Sequence, residues 1–411
     1  MTDQSVLIAK DTSVHDPHPF SLPAAERLNH VLVLGMRTPE QGDFLWNMMV
    51  QDVANGAGLA IIDTTGNYAR PLLDAIPAWR SHHTYYMRPS DQDRVVGFNP
   101  FRGIAEPDRS RVSQDIMELF KSIWDLDYDR TPLLLDLLRS SARLLLDSRD
   151  GTLLGMYALL TSDEYRRRLV QQCTDPLARR FWTEFDSWPA KDRRDKPQPV
   201  LTRLRAFLSD PVLRNVLGQV QGALDVERLV QRRQILLADL DRRELGPETA
   251  RLFACLLATR LRSVLESRNG GWPFYIYLPA ADQIHVAIIG RLVRDRYEAG
   301  GVVAGVNQVG SLLPEERANL LSAETLVTFR VATDDLKHVT PRFPLPGAER
   351  ALPTLGEKRL AVSNYHRELA LNSPLDARFR QRDAIVQRSG RALCVPRQQI
   401  EQKIERFLER F

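Results

Sequence analysis

An α/β fold with a mainly parallel sheet is what this sequence predicts, and three observations carry the prediction. Short, continuously apolar runs recur: VLVLG (31–35), GLAIID (58–63), QILLADL (234–240), FYIYL (274–278), GVVAGV (301–306) and TLVTFRV (325–331). Helix-patterned segments, such as 43–54 and 247–265, separate several of them. The links between are short. A strand buried on both faces has no polar side to alternate with, and strand, helix, strand with short links is the parallel crossover unit.

In chain order, residues 1–20 are polar and irregular and read as an N-terminal arm, and 21–104 hold the first part of the α/β core. Between 105 and 228, MELFKSIW, LLLDLLRSSARLLLD and VLTRLRAFL space their apolar residues as helices do, so this stretch reads as an all-helical insertion. The core resumes over 229–340. Pro341, Pro344, Pro346 and Pro353 then mark an extended linker, and 341–411 closes as a basic C-terminal arm ending in the amphipathic RQQIEQKIERFLERF.

Composition bounds the rest. The 411 residues are 43% hydrophobic and 26% charged, with a formal net charge of +4, ordinary for a globular protein and permissive of nucleic-acid binding. Cys173, Cys255 and Cys394 are far apart and form no C-x-x-C pair, which points to a reducing compartment. The histidines show no zinc-site spacing. No apolar run approaches the roughly 18 residues of a membrane span. The N-terminus lacks the basic start and apolar stretch of a signal peptide. These features predict a cytoplasmic protein with no membrane insertion and no metal.

A series of segments resembles a known family: AERLNHVLVLG, GLAIIDTTGN, VVGFNPF, ARRFWTEF, FLSDPVLRNVLGQ, QILLADLDRRELG, WPFYIYL and GVNQVGSLLPEERANLLSAETLVTFRV. Together they resemble the HerA/FtsK-type P-loop ATPases, in particular soluble relatives of conjugative DNA-transfer coupling proteins (TraG/TraD-like). GFNPF and the RFW…EF pair are the most specific. The resemblance covers about Leu22 to Arg330 and implies a RecA-like P-loop NTPase core, DNA as a partner, and rings of subunits.

The chemistry departs from the family. A working phosphate loop reads G-x-x-x-x-G-K-[ST], with glycines for close backbone approach, lysine for the phosphate oxygens and a hydroxyl for Mg²⁺. This chain has Gly35-Met36-Arg37-Thr38-Pro39-Glu40-Gln41-Gly42: Gln41 replaces lysine, Gly42 replaces the hydroxyl residue, and Pro39 removes a backbone donor. Glu40 puts a carboxylate in the expected cradle, where like charges about 4 Å apart repel by ~1–4 kcal/mol. Glu40 or Asp43 at the helix N-terminus is then expected to act as a built-in phosphate substitute. The strand FYIYL should end in Asp-Glu but continues as Pro279-Ala280. No other phosphate-loop motif occurs, so the expectation is a pseudo-ATPase without bound ATP or Mg²⁺ and with no catalytic residue.

Remnants remain. Asp63 and Gly66 match a family D-P-H-G-D-like segment, with strand-end turn capping as the alternative role for Asp63. Gln308 matches a polar sensor position, or is a satisfied strand-end residue. Arg330 matches an arginine that in relatives faces a neighbour's nucleotide, or is a surface residue. Two arginine-rich stretches, one with Arg166, Arg167, Arg168, Arg179, Arg180, Arg193 and Arg194 and one with Arg378, Arg380 and Arg382, suit DNA phosphates, although interleaved acids also suit a solvated face. The reading is a non-catalytic DNA-binding or structural subunit in a DNA-transfer or DNA-processing assembly, as a homo-oligomer or beside an active ATPase paralogue. Two rivals are an ATP-driven DNA translocase with an unorthodox site, and an interaction module of a phage-defence or mobile-element system that touches no DNA.

Overall fold

The computed structural model describes residues 5–11, 18–35, 38–343, 347–363 and 365–410. Its contacts divide into two compact units, one built from 1–86, 228–254 and 264–388, the other from 87–227, 255–263 and 389–411.

The first unit holds an eleven-stranded sheet. Its strands are β1 (Val6–Asp11), β2 (His18–Leu22), β3 (Val31–Leu34), β4 (Gly58–Asp63), β5 (Thr84–Met87), β7 (Ile235–Asp239), β8 (Phe274–Leu278), β9 (Gly300–Val306), β10 (Thr325–Thr328), β11 (Arg359–Val362) and β12 (Tyr365–Leu371). The order is β2-β1-β12-β11-β10-β3-β9-β8-β4-β7-β5. The run from β10 to β7 is parallel, as the buried apolar segments predict. Every residue of β3, β4, β7, β8 and β9 is buried, which is why none of them alternates. Beyond β10 the pairing turns antiparallel through β11, β12, β1 and β2. The stretch read as an irregular N-terminal arm therefore contributes β1 and the edge strand β2, and the stretch read as a linker contributes β11 and β12, all paired antiparallel. Residues 1–4 and 12–17 of that arm, with Pro344 and Pro346 of the proline stretch, lie outside the described residues.

Close packing decides the amino ends of these strands. Gly301 leaves no room for a side chain, since a Cβ there would stand 2.5 Å from the Arg27 carbonyl oxygen. Below it, Arg27 donates twice to one Asp52 oxygen, at 2.8 Å, and Tyr277 donates to the other at 2.5 Å. The Arg27 guanidinium lies 4.1 Å from the centre of the Tyr275 ring, and both charged side chains are fully buried.

His30 is sealed into the same region. Its Nδ1 accepts from the Val302 N–H at 3.1 Å and its Nε2 donates to the Asp295 carbonyl at 2.7 Å, which fixes the neutral tautomer. Burial, aided by Arg296 and opposed by the Asp295 bond, lowers its pKa to about 4. An unfolded histidine titrates near 6.5, so the unfolded chain takes up this proton first as pH falls. The contribution is complete above pH ~6.5 and lost towards pH ~4, about 3 kcal/mol in all. Urea unfolding at pH 7.5 and 4.5 should show that loss in the natural protein and a smaller one in His30→Asn, where the left-handed backbone (φ 72°) suits asparagine. Equal acid sensitivity in both would assign the effect to other groups.

The second unit is mainly helical: 109–123, 132–147, 153–161, 163–172, 176–187, 198–209, 211–217 and 397–410 are its longer helices. A two-stranded ribbon pairs β6 (Arg94–Val96) with β13 (Cys394–Pro396). The two most specific sequence segments are packing devices here. Asn99 of GFNPF donates to the Gly151 and Val220 carbonyls at 2.8 and 3.1 Å while Phe98 is buried. Trp182 and Phe185 of RFW…EF are buried edge to face, 5.2 Å between ring centres. Among the described residues, no helix is long and apolar enough to cross a membrane.

Candidate functional site

Parallel sheets place ligands beyond the carboxyl ends of their strands, where the strand order reverses. Here that point is β3, which lies between β10 and β9 and is followed by the helix Pro39–Ala54. Gly35 ends β3 with φ +150°, and a Cβ there would lie 3.1 Å from Phe329 Cβ. Met36 and Arg37, the middle of the candidate phosphate loop, lie outside the described residues.

The helix starts four residues before the expected Asp43. Thr38 caps it, accepting from the Gln41 N–H at 3.4 Å, and Pro39 occupies the first helical position, where a missing N–H costs nothing. Gln41, at the lysine position, is 3% exposed and turned into the sheet. Its Nε2 donates to the carbonyls of Val33 (3.1 Å) and Val306 (3.2 Å), tying β3 to β9. Glu40 lies in the first turn and is half-buried, but the cap is the Thr38 hydroxyl. Asp43 stands one turn further on, its carboxyl pKa raised by burial and by Glu40 and opposed by Lys358. Gly42 is half-buried, with the Tyr68 hydroxyl 3.4 Å from where its Cβ would be.

At the end of β8, Pro279 and Ala280 are buried and offer no carboxylate. Asp282, the next acid, is exposed and accepts from Asn307 at 2.9 Å. Beside it a cleft of about 230 Å³ is lined by Asp282, Val286, Asn307, Gln308, Ser311 and Leu312, among others. Gln308 is exposed at its rim, and Arg330 is exposed just past β10.

Asp63 is fully buried at the end of β4 and organises the turn that follows. One oxygen accepts from the Thr65 N–H and hydroxyl and the Gly66 N–H at 2.9, 2.7 and 3.0 Å. The other accepts from the Tyr68 and Ala69 N–H groups at 2.8 and 2.9 Å. Next to β4, an ionic network joins Asp239, the Tyr86 hydroxyl (2.6 Å), Arg70 and Glu244 (2.7 Å from Arg70). Sequence reading did not single out these residues; the acid ending QILLAD was the available signal.

The arginines scatter. Arg166 is buried, held by Asp163, Asp186 (2.7 Å) and the Leu159 carbonyl (3.1 Å) and lying over the Phe185 ring, so it presents nothing to a ligand. Arg167, Arg179, Arg180 and Arg194 are exposed, while Arg168 and Arg193 are partly buried near Asp150 and Asp163. In the first unit, Arg378 and Arg380 are exposed and Arg382 is paired with Asp74 at 2.5 Å.

Comparison with solved structures decides the fold. The plasmid coupling protein TrwB in complex with ADP and Mg²⁺ is 15% identical, covering 88% of this chain and 89% of that chain, with a TM-score of 0.60. VirB4 of Thermoanaerobacter pseudethanolicus is 12% identical, covering 92% and 98%, with a TM-score of 0.62. The chain shares the fold of the TrwB coupling protein and of VirB4. No family model and no curated protein matches the chain.

The expectation that this chain binds neither ATP nor Mg²⁺ is corrected by these neighbours, which make nucleotide and Mg²⁺ binding plausible on this fold. TrwB carries ADP and Mg²⁺ in one structure, and a GTP analogue and an ATP analogue in two others. The physical reason is that phosphates are gripped largely by backbone N–H groups at a helix N-terminus, which side-chain losses leave in place. The side chains of this chain fit such a ligand poorly: Gln41 faces the sheet, Pro39 has no N–H, and β8 ends without an acid. The backbone of a phosphate site and the side chains of a hydrolytic one are separate questions here.

Proposed function

We propose that this chain is a non-hydrolysing subunit of a DNA-transfer or DNA-processing assembly, acting in an oligomer as a structural or regulatory partner of an active ATPase. The inward-facing Gln41 carries this reading. A residue bonded to the ends of two strands cannot reach a phosphate oxygen, and a neutral amide in place of an ammonium removes the charge that stabilises phosphoryl transfer. Pro279 and Ala280 add the lack of an acid for metal or water. The solved relatives, described as a conjugative coupling protein and VirB4, support the setting. The exposed Arg167, Arg179, Arg180 and Arg194 suit the phosphates of DNA, and the exposed Arg330 suits a neighbouring subunit's nucleotide.

Two measurements test it together: calorimetry with ATP and Mg²⁺ for binding, and phosphate release with and without DNA for turnover. The expected result is no DNA-stimulated turnover, whatever the calorimeter reads. DNA retention should weaken with salt and weaken further when the four exposed arginines become alanine. DNA-stimulated turnover that vanishes in Arg330→Ala would overturn the proposal.

A further inference from the structure

The amino edge of the first unit's sheet, opposite the ends that carry Gln41 and Pro279, presents two large exposed indoles on a bed of arginines. Trp79 is 59% exposed and Trp272 is 49% exposed. Arg80 lies 5.6 Å from the Trp79 ring centre, and Arg233 lies 4.4 Å from that of Trp272. The two halves are continuous, because Arg80 donates to the carbonyls of Ala57 (2.6 Å) and Arg233 (3.0 Å). Arg388 donates to the Ser81 and Thr84 carbonyls alongside, and His82, His83 and Arg232 are exposed.

The charges here are uncompensated. Arg80 is 4% exposed and bonded to carbonyls alone, and the Nε atoms of Arg80 and Arg388 have no hydrogen-bond partner. No carboxylate pairs with Arg80, Arg232, Arg233 or Arg388 among the described residues. Burial and the neighbouring Arg233 lower the pKa of Arg80 to about 10, and burial, then Arg80, His82, Arg233 and Arg388, lower that of His83. Tryptophan and arginine are the residues that dominate binding energy at protein interfaces.

We propose that this edge is a docking surface for an acidic segment of a partner protein, in which an apolar side chain covers Trp79 and Trp272 and flanking carboxylates meet Arg232, Arg233, His82 and His83. A protein segment fits better than nucleic acid because the two most enclosed guanidiniums are committed to carbonyls. They lend a positive field without being able to grip phosphates directly. The proposal stands apart from ATP turnover and from the arginines of the helical unit.

The test uses the full-length protein and a short fluorescent peptide that alternates two glutamates with one phenylalanine, followed by anisotropy. Binding should be salt-sensitive and at least about ten-fold weaker in Trp272→Ala, Trp79→Ala and Arg233→Gln. The two exposed tryptophan positions should leave the thermal unfolding midpoint unchanged. Three results would each sink the idea: no binding, equal binding of a peptide with lysine in place of glutamate, or unaltered affinity in all three variants. Preferential capture of a labelled oligothymidylate, lost in Trp272→Ala, would reassign the surface to nucleic acid, and a concentration-dependent dimer lost in the same variant would reassign it to a second copy of this chain; either outcome overturns the proposal.

Discussion

Replacing Asp52 by alanine is expected to lower the unfolding free energy by about 3–5 kcal/mol, the cost of leaving a buried charge without its partner. Arg27 and Asp52 are fully buried, and both Asp52 oxygens are engaged, one by the guanidinium and one by the Tyr277 hydroxyl. With the carboxylate gone, the guanidinium would face the Tyr275 ring and no acid. The pair itself is not expected to be worth that much. Replacing both partners together, as Arg27→Met with Asp52→Leu, should cost clearly less than Asp52→Ala alone, since desolvating two ions offsets most of their attraction. Urea titration of the three proteins followed by circular dichroism measures this. A single variant within about 1 kcal/mol of the parent would mean that water reaches Arg27.

The second large effect is expected at Asp63, where alanine would orphan five donors and cost about 3 kcal/mol or more. The informative variant is Asp63→Asn. An amide can satisfy the three donors on one side only, because its NH₂ then points at the N–H groups of Tyr68 and Ala69. Asparagine should therefore destabilise nearly as much as alanine. An acid whose main task was a metal or a water would tolerate asparagine without loss of stability, so thermal melts of the two variants separate the roles. A melt of Asp63→Asn that overlays the parent would favour the ligand role.

How much of this was legible beforehand follows from where each residue gets its structural orders. The central strands announce themselves, because a strand covered on both faces must be apolar throughout; GLAIID and FYIYL match β4 and β8 residue for residue. The antiparallel strands do not. HPFSL and RLAV carry polar or proline residues and owe their state to pairing partners that their own pattern does not reveal, β1 for the first and β10 for the second, with Val327 beside Val362. The early helix start is readable in Thr38-Pro39, a cap followed by proline at the first helical position, where proline's missing donor costs the helix nothing. That Gln41 points inward could not be read, since a helix N-terminus exposes some residues and buries others according to the strands beside it. Arg166 was legible in part: it follows Asp163 by three positions and sits between Tyr165 and Leu169, both buried. The nucleotide expectation failed for a different reason, in that side-chain motifs say little about what a backbone can hold.

The tie made by Gln41 has a consequence for ancestry. On the proposed reading, a lysine returned to position 41 would not simply regain a lost role. It would have to give up two strand-end bonds, face away from the sheet, and find a loop freed of Pro39 and Glu40. Each of those changes on its own removes something the present structure uses and gives nothing back. Selection acting one substitution at a time would meet a valley on the way to a working motor, so the loss behaves as a ratchet: the lineage is held to its present trade by the same two carbonyls that hold the glutamine.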